Sequence, residues 1–100
     1  MLNHNPINLS LISILNLSKA LKLKGNNLEE ITSEIQENRD DFTRGLEALM
    51  IENDKLSAII LNGDREEMLN QLVMVMTPLQ NMKYEIEEEL EYIDNIFREA

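Results

Sequence analysis

Residues 71–82 read QLVMVMTPLQNM, a nearly unbroken apolar run that meets a proline, in a 100-residue chain of formal net charge -10. A buried strand, a kinked helix and a groove for a partner would each produce such a run, and the flanking residues choose between them. Leu72, Leu79, Ile86 and Ile93 recur every seven residues, with Met68, Val75, Met82 and Ile96 on a companion row. The apolar phase passes straight through Pro78, which neither a strand nor a reversing loop would allow, so residues 64–99 are predicted to form one long helix. A proline inside a helix removes one backbone hydrogen bond and clashes with the preceding turn, at about 3 kcal/mol in an ideal helix. A kink is therefore expected near residues 77–78. Thr77, with Gln80 three residues on, offers the second choice of a break and a restarted helix.

Before this helix stand Asn62, Gly63 and Asp64, a stop signal followed by a capping pair, Asp64 with Glu67. An earlier stop of the same kind lies at Gly25, Asn26 and Asn27, where Lys22 and Lys24 suit a last helical turn and Asn27 pairs with Glu30. Between the two stops, residues 27–61 carry Leu28, Ile35, Phe42, Leu49 and Leu56 at seven-residue spacing. The companion positions pass through Asn38, Gly45 and Glu52, while Leu46 and Ile60 widen the stripe. This is the pattern of a second long amphipathic helix with a narrow seam. Gly45 in its interior costs roughly 1 kcal/mol relative to Ala, which points to close approach of another helix or a local bend. Two helices of similar length joined by so short a connection must lie antiparallel.

Residues 1–5 read as a tail and 6–25 as a shorter N-terminal helix. Of the apolar positions from Ile7 to Leu23, more are odd than even, which leans toward strand alternation. Asn5-Pro6 nevertheless makes a good helix start and Gly25 a good stop, and the chain offers no second strand to pair with. The expected fold is all-α: one domain built on a long, coiled-coil-like antiparallel hairpin, with the N-terminal helix packed across it. Phe42, Leu46, Leu49, Leu72, Leu79 and Ile86 are expected to hold the hairpin together.

Composition agrees with this class. The 43% apolar and 28% charged fractions are those of a globular chain, and three glycines, two prolines and four aromatic residues leave little material for the turns of a β-sandwich. With no cysteine, disulfides and thiolate metal sites are excluded. Residues 9–17, LSLISILNL, have no preceding Lys or Arg and no small-residue cleavage site after them, so no cleaved signal is expected. No stretch is long enough and free enough of charge to span a membrane, and a cytoplasmic setting is the expectation.

Charge is uneven. Residues 1–26 carry Lys19, Lys22 and Lys24 and no acid, so the +3 there leaves -13 for the remainder. Glu85, Glu87, Glu88, Glu89, Glu91 and Asp94 crowd the C-terminal stretch and are expected to form a solvated acidic face. Such a surface repels phosphates, so nucleic acid is not an expected partner, even though residues 20–35 resemble a helix-turn-helix linker. A basic protein segment is the charged partner that would fit.

Chemistry-bearing residues are scarce. His4 is the only histidine, in the polar tail, and no nucleophile elbow, phosphate loop or zinc motif is present. Carboxylates alone remain, without the Glu-x-x-His motifs of helical di-metal sites or an EF-hand loop. Neither an enzyme nor a cofactor or metal is expected.

The expected function is a small acidic adaptor or chaperone that binds another protein through an apolar helical seam. Met74, Met76, Ile93, Ile96 and Phe97 are its candidate contacts, since clustered methionines suit adaptable apolar surfaces. In size, acidity and helical build alone, the chain looks like the small chaperones that shield secretion substrates or assembly subunits. The alternatives are a structural subunit whose hairpins self-associate, a homodimer being the simplest case, and an acidic inhibitor or immunity-type protein that blocks a basic site.

Overall fold

In the computed structural model, which describes residues 4–21 and 28–99, three helices follow one another: α1 (Pro6–Leu21), α2 (Leu28–Asn62) and α3 (Arg65–Glu99). The stop at Gly25 and the capping pair of Asn27 with Glu30 involve residues outside the described set. The start of α1 is as the sequence requires. Asn5 Oδ1 accepts the Asn8 backbone N–H at 2.9 Å, and Pro6 fills the first helical position. Helical rather than strand spacing governs what α1 buries, namely Asn8, Leu11, Ile14 and Ser18.

The two long helices form the expected hairpin, with only Gly63 and Asp64 between them. The Gly63 N–H donates to the Ile59 carbonyl at 2.6 Å, closing α2. Asp64 Oδ1 then accepts the Glu67 N–H at 2.8 Å, opening α3.

α3 runs unbroken through Pro78, so the restarted helix does not occur. Thr77 does not cap anything there, since its hydroxyl donates back to the Val73 carbonyl at 3.3 Å, within the same helix. Pro78 itself is buried, and it faces Gly45 of α2. A Cβ placed on Gly45 would lie 2.6 Å from Met82 Cγ and 3.8 Å from the Pro78 carbonyl oxygen. Close helix approach, not a bend, explains this glycine.

The seam of the hairpin departs from expectation on one of its two sides. Phe42 is buried, and Leu46 and Leu49 are half-buried, as anticipated. On α3, however, Leu72, Leu79 and Ile86 are exposed, and the companion row faces inward: Gln71, Pro78, Met82, Glu89 and Ile96 are buried, with Met68, Val75, Glu85 and Tyr92 half-buried. Both rows repeat every seven residues, so periodicity could not choose between them. The close fit of Gly45 to Met82, and Gln71 Nε2 donating to the Glu52 carbonyl at 2.8 Å, belong to the rotation that is adopted.

α1 lies across the open end of the hairpin. Leu11 and Ile14 pack with Ile35 and Ile96, flanked by Ile7, Leu15, Ile31 and Tyr92. Asn8 Nδ2 fixes the register of this packing by donating to Thr43 Oγ1 at 2.9 Å and to the Arg39 carbonyl at 3.3 Å. Sixteen helical residues reach about 24 Å, less than half of the about 52 Å spanned by 35. The tip half of the hairpin therefore has two helices where the open end has three. The result is an elongated body, 57 × 24 × 17 Å, with a radius of gyration of 17.5 Å.

Candidate functional site

Two features stand out on this frame, an apolar row on the outside of α3 and an acidic cleft between α2 and α3. The row consists of Leu69, Leu72, Met76, Leu79, Ile86, Leu90, Ile93 and Phe97, all exposed. Their spacing alternates between three and four residues, with one departure at Lys83. That is the a/d pattern of a coiled-coil seam, and it lies beside the inner row rather than opposite it. α3 thus carries two apolar seams, of which the hairpin uses one. Phe97, at 79%, and Leu90, at 60%, are its most accessible members, and Ile86 and Ile93, at 37% and 36%, its least.

The five candidate contact residues divide across this geometry. Met76, Ile93 and Phe97 fall on the outer row. Met74 is exposed on the other flank of α3, the one that carries Asn81, Glu88 and Asn95 at seven-residue steps. Ile96 is not available as a contact, because it is buried at 9% exposure beneath Leu11 and Ile14 of α1. It belongs to the inner row, one residue away from Phe97 on the outer one. Leu69, Leu72, Leu79, Ile86 and Leu90 are the row members that the sequence reading did not select. Leu72, Leu79 and Ile86 are expected in the hairpin seam instead, and Leu69 and Leu90 in neither place; the signal is the three-and-four spacing from 69 to 97, interrupted only at Lys83.

The acidic face also divides. Glu87, Glu91 and Asp94 are exposed, Glu87 pairing with Lys83 at 3.7 Å and Asp94 with Arg98 at 2.7 Å. Glu89, expected in solvent, is instead buried at 6% exposure and accepts a hydrogen bond from the Ser10 hydroxyl of α1. It stands on the inner row, and α1 covers it.

Glu85, Glu88 and Glu91 turn toward Glu34, Glu37 and Asp41 of α2 across a cleft of about 510 Å³. Burial pushes the Glu85 carboxyl up, helped by the negative charges of Glu88 and Glu37, while Arg44 opposes the shift. Tyr92, on the same wall, is pushed up to about 12, by burial first and then by Glu34 and Glu88. Tyr84 is raised mainly through its hydrogen bond to Glu88. The α2 side of the cleft was legible as acids three and four residues apart, but it gains meaning only opposite the matching acids of α3.

Among the described residues no group of His, Asp or Glu is arranged to hold a metal ion, and no helix is long and apolar enough to cross a membrane. His4 is exposed. No protein-family model, no curated protein and no solved structure matches this chain.

Proposed function

We propose that this chain is a non-enzymatic protein-interaction module that works by packing the outer face of α3 against a helix of another polypeptide chain. The observation that carries the reading is the exposed row from Leu69 to Phe97, eight large apolar residues in coiled-coil spacing on a helix that already has a complete inner seam. Exposed apolar residues scattered singly are ordinary, whereas a contiguous stripe of this length marks a contact surface. The row extends over about 42 Å, given 1.5 Å per residue, so it suits an extended helix rather than a small ligand. Adaptor, chaperone and structural subunit are variants of this one mechanism that differ in whose helix completes the seam.

The test is a paired affinity experiment in cells that make the protein, with wild type and Leu79→Glu/Leu90→Glu as baits and an untagged wild-type copy also present. Both positions are exposed in the hairpin, so the variant should fold. Proteins that bind through the outer row, the untagged copy included, should be lost from the variant and retained by a Glu88→Gln control in the cleft. Identical captures by all three baits would refute the proposal.

A further inference from the structure

We infer that the outer row of α3 is completed by the same row of a second copy of this chain, packed antiparallel about a twofold axis near Lys83. The inference rests on the interaction reading above and names its partner. Three observations point to self-association. The first is area. The chain exposes 7114 Å², whereas a compact monomer of 11.6 kDa is expected to expose about 5,800 Å². The excess of about 1,300 Å² exceeds the roughly 800 Å² per partner of a standard interface. In the same sense, the radius of gyration of 17.5 Å exceeds the roughly 13 Å of a compact 100-residue domain.

The second observation is the position of the one charge in the row. Lys83 lies fourteen residues from Leu69 and fourteen from Phe97, at the midpoint where the axis of an isologous pair would pass. A lone Lys at an a position specifies register and partner number. Its own Glu87 is 3.7 Å away, so where the two Lys83 side chains meet at the axis of an antiparallel pair, each ammonium is already neutralised by a carboxylate of its own helix.

The third observation fixes the direction. Glu87 and Asp94 flank the C-terminal half of the row, while Val73 and Gln80 hold the same flank, at seven-residue steps, along the N-terminal half. A parallel pair would set the acids side by side, and like charges across a seam disfavour pairing. An antiparallel pair sets each acidic half against a neutral one.

Sedimentation equilibrium of the full chain from 1 to 100 µM, with far-UV circular dichroism as the fold control, tests the occupant. Wild type should have twice the mass of 11.6 kDa. Leu79→Glu/Ile86→Glu should remain helical and become monomeric. Lys83→Glu should weaken the dimer by about tenfold, since it sets two carboxylates against each other at the axis, each beside Glu87, whereas Lys83→Leu, which removes the charge from the seam, should strengthen it. Because the chain has no cysteine, a spin label at Asn70→Cys reports direction. Two labels each thirteen residues from the axis stand about 40 Å apart in an antiparallel pair, against roughly 15 Å or less in a parallel one. A folded monomer at every concentration would overturn the second copy and leave the interaction module standing. A dimer unaffected by Leu79→Glu/Ile86→Glu would overturn the surface itself, and a short label distance would overturn the antiparallel arrangement.

Discussion

Gly45→Ala separates the two forces that act at the centre of the hairpin. In an exposed helix interior the change gains about 1 kcal/mol of helix propensity. Here the new Cβ would stand 2.6 Å from Met82 Cγ and 3.4 Å from Met82 Sδ. Cγ lies near the root of the methionine side chain, so the thioether cannot swing aside as a flexible tip would, and Met82 is itself buried. Forcing an extra methyl into a filled seam costs about 1–3 kcal/mol. The net expectation is a destabilisation between zero and about 2 kcal/mol, centred near 1, or a melting point lower by about 4–8 °C per kcal/mol. Urea titration followed by circular dichroism, at one fixed protein concentration, measures it. On a Met82→Ala background the obstruction is gone, so Gly45→Ala should become stabilising by about the propensity value, giving a coupling of about 1–3 kcal/mol. A single Gly45→Ala variant that is more stable than wild type by the full 1 kcal/mol would refute the close approach of α2 to α3 at this point.

Three further outcomes follow from the same structure. Asp64→Ala leaves the Glu67 N–H without its acceptor and should cost about 1 kcal/mol in chemical denaturation, with Asp64→Asn close to wild type; equal losses in both would show that the side-chain cap is not at work. Glu85 has its folded pKa raised, so its ionisation opposes folding, and its penalty grows as pH rises above the usual 4.5. Glu85→Gln should therefore raise the melting temperature at pH 7 and lose that advantage as pH falls toward 4.5, whereas a gain independent of pH would point to packing instead. The Tyr92 phenol titrates normally in the unfolded chain, near 10, and only at about 12 when folded. Stability should hold below pH 10 and decline between 10 and 12. Phenolate absorbance at 295 nm should thus develop together with the loss of helical signal; full ionisation of both tyrosines in a folded chain would contradict the burial of Tyr92.

Much of this architecture was written in local pattern. The pause at Asn62-Gly63-Asp64 and the seven-residue rows on each side of it define two long helices, because caps and periodicity depend only on residues within a few positions of one another. The antiparallel arrangement followed from the shortness of the link. Persistence of the apolar phase across Pro78 identified α3 as helical on both sides, and the described helix does run through. The polar interruptions at Asn38, Gly45 and Glu52 were visible too, though not their use: Gly45 admits Met82, and Glu52 receives Gln71.

What the sequence by itself determined, then, was the helices, their order and their reversal. Tertiary packing alone decided the rotation of α3 about its axis. Two rows, one through Leu72 and Leu79 and the other through Val75 and Met82, are both apolar and both seven-residue repeats, so either could face α2. The inner row is the one that brings Met82 to Gly45, Gln71 to Glu52, and Ile96 and Glu89 beneath α1. That rotation removed Ile96 and Glu89 from the surface and left Leu72, Leu79 and Ile86 upon it. The physical reason is that amphipathic period specifies which residues share a face, while the choice among faces depends on shape and hydrogen bonding between residues tens of positions apart.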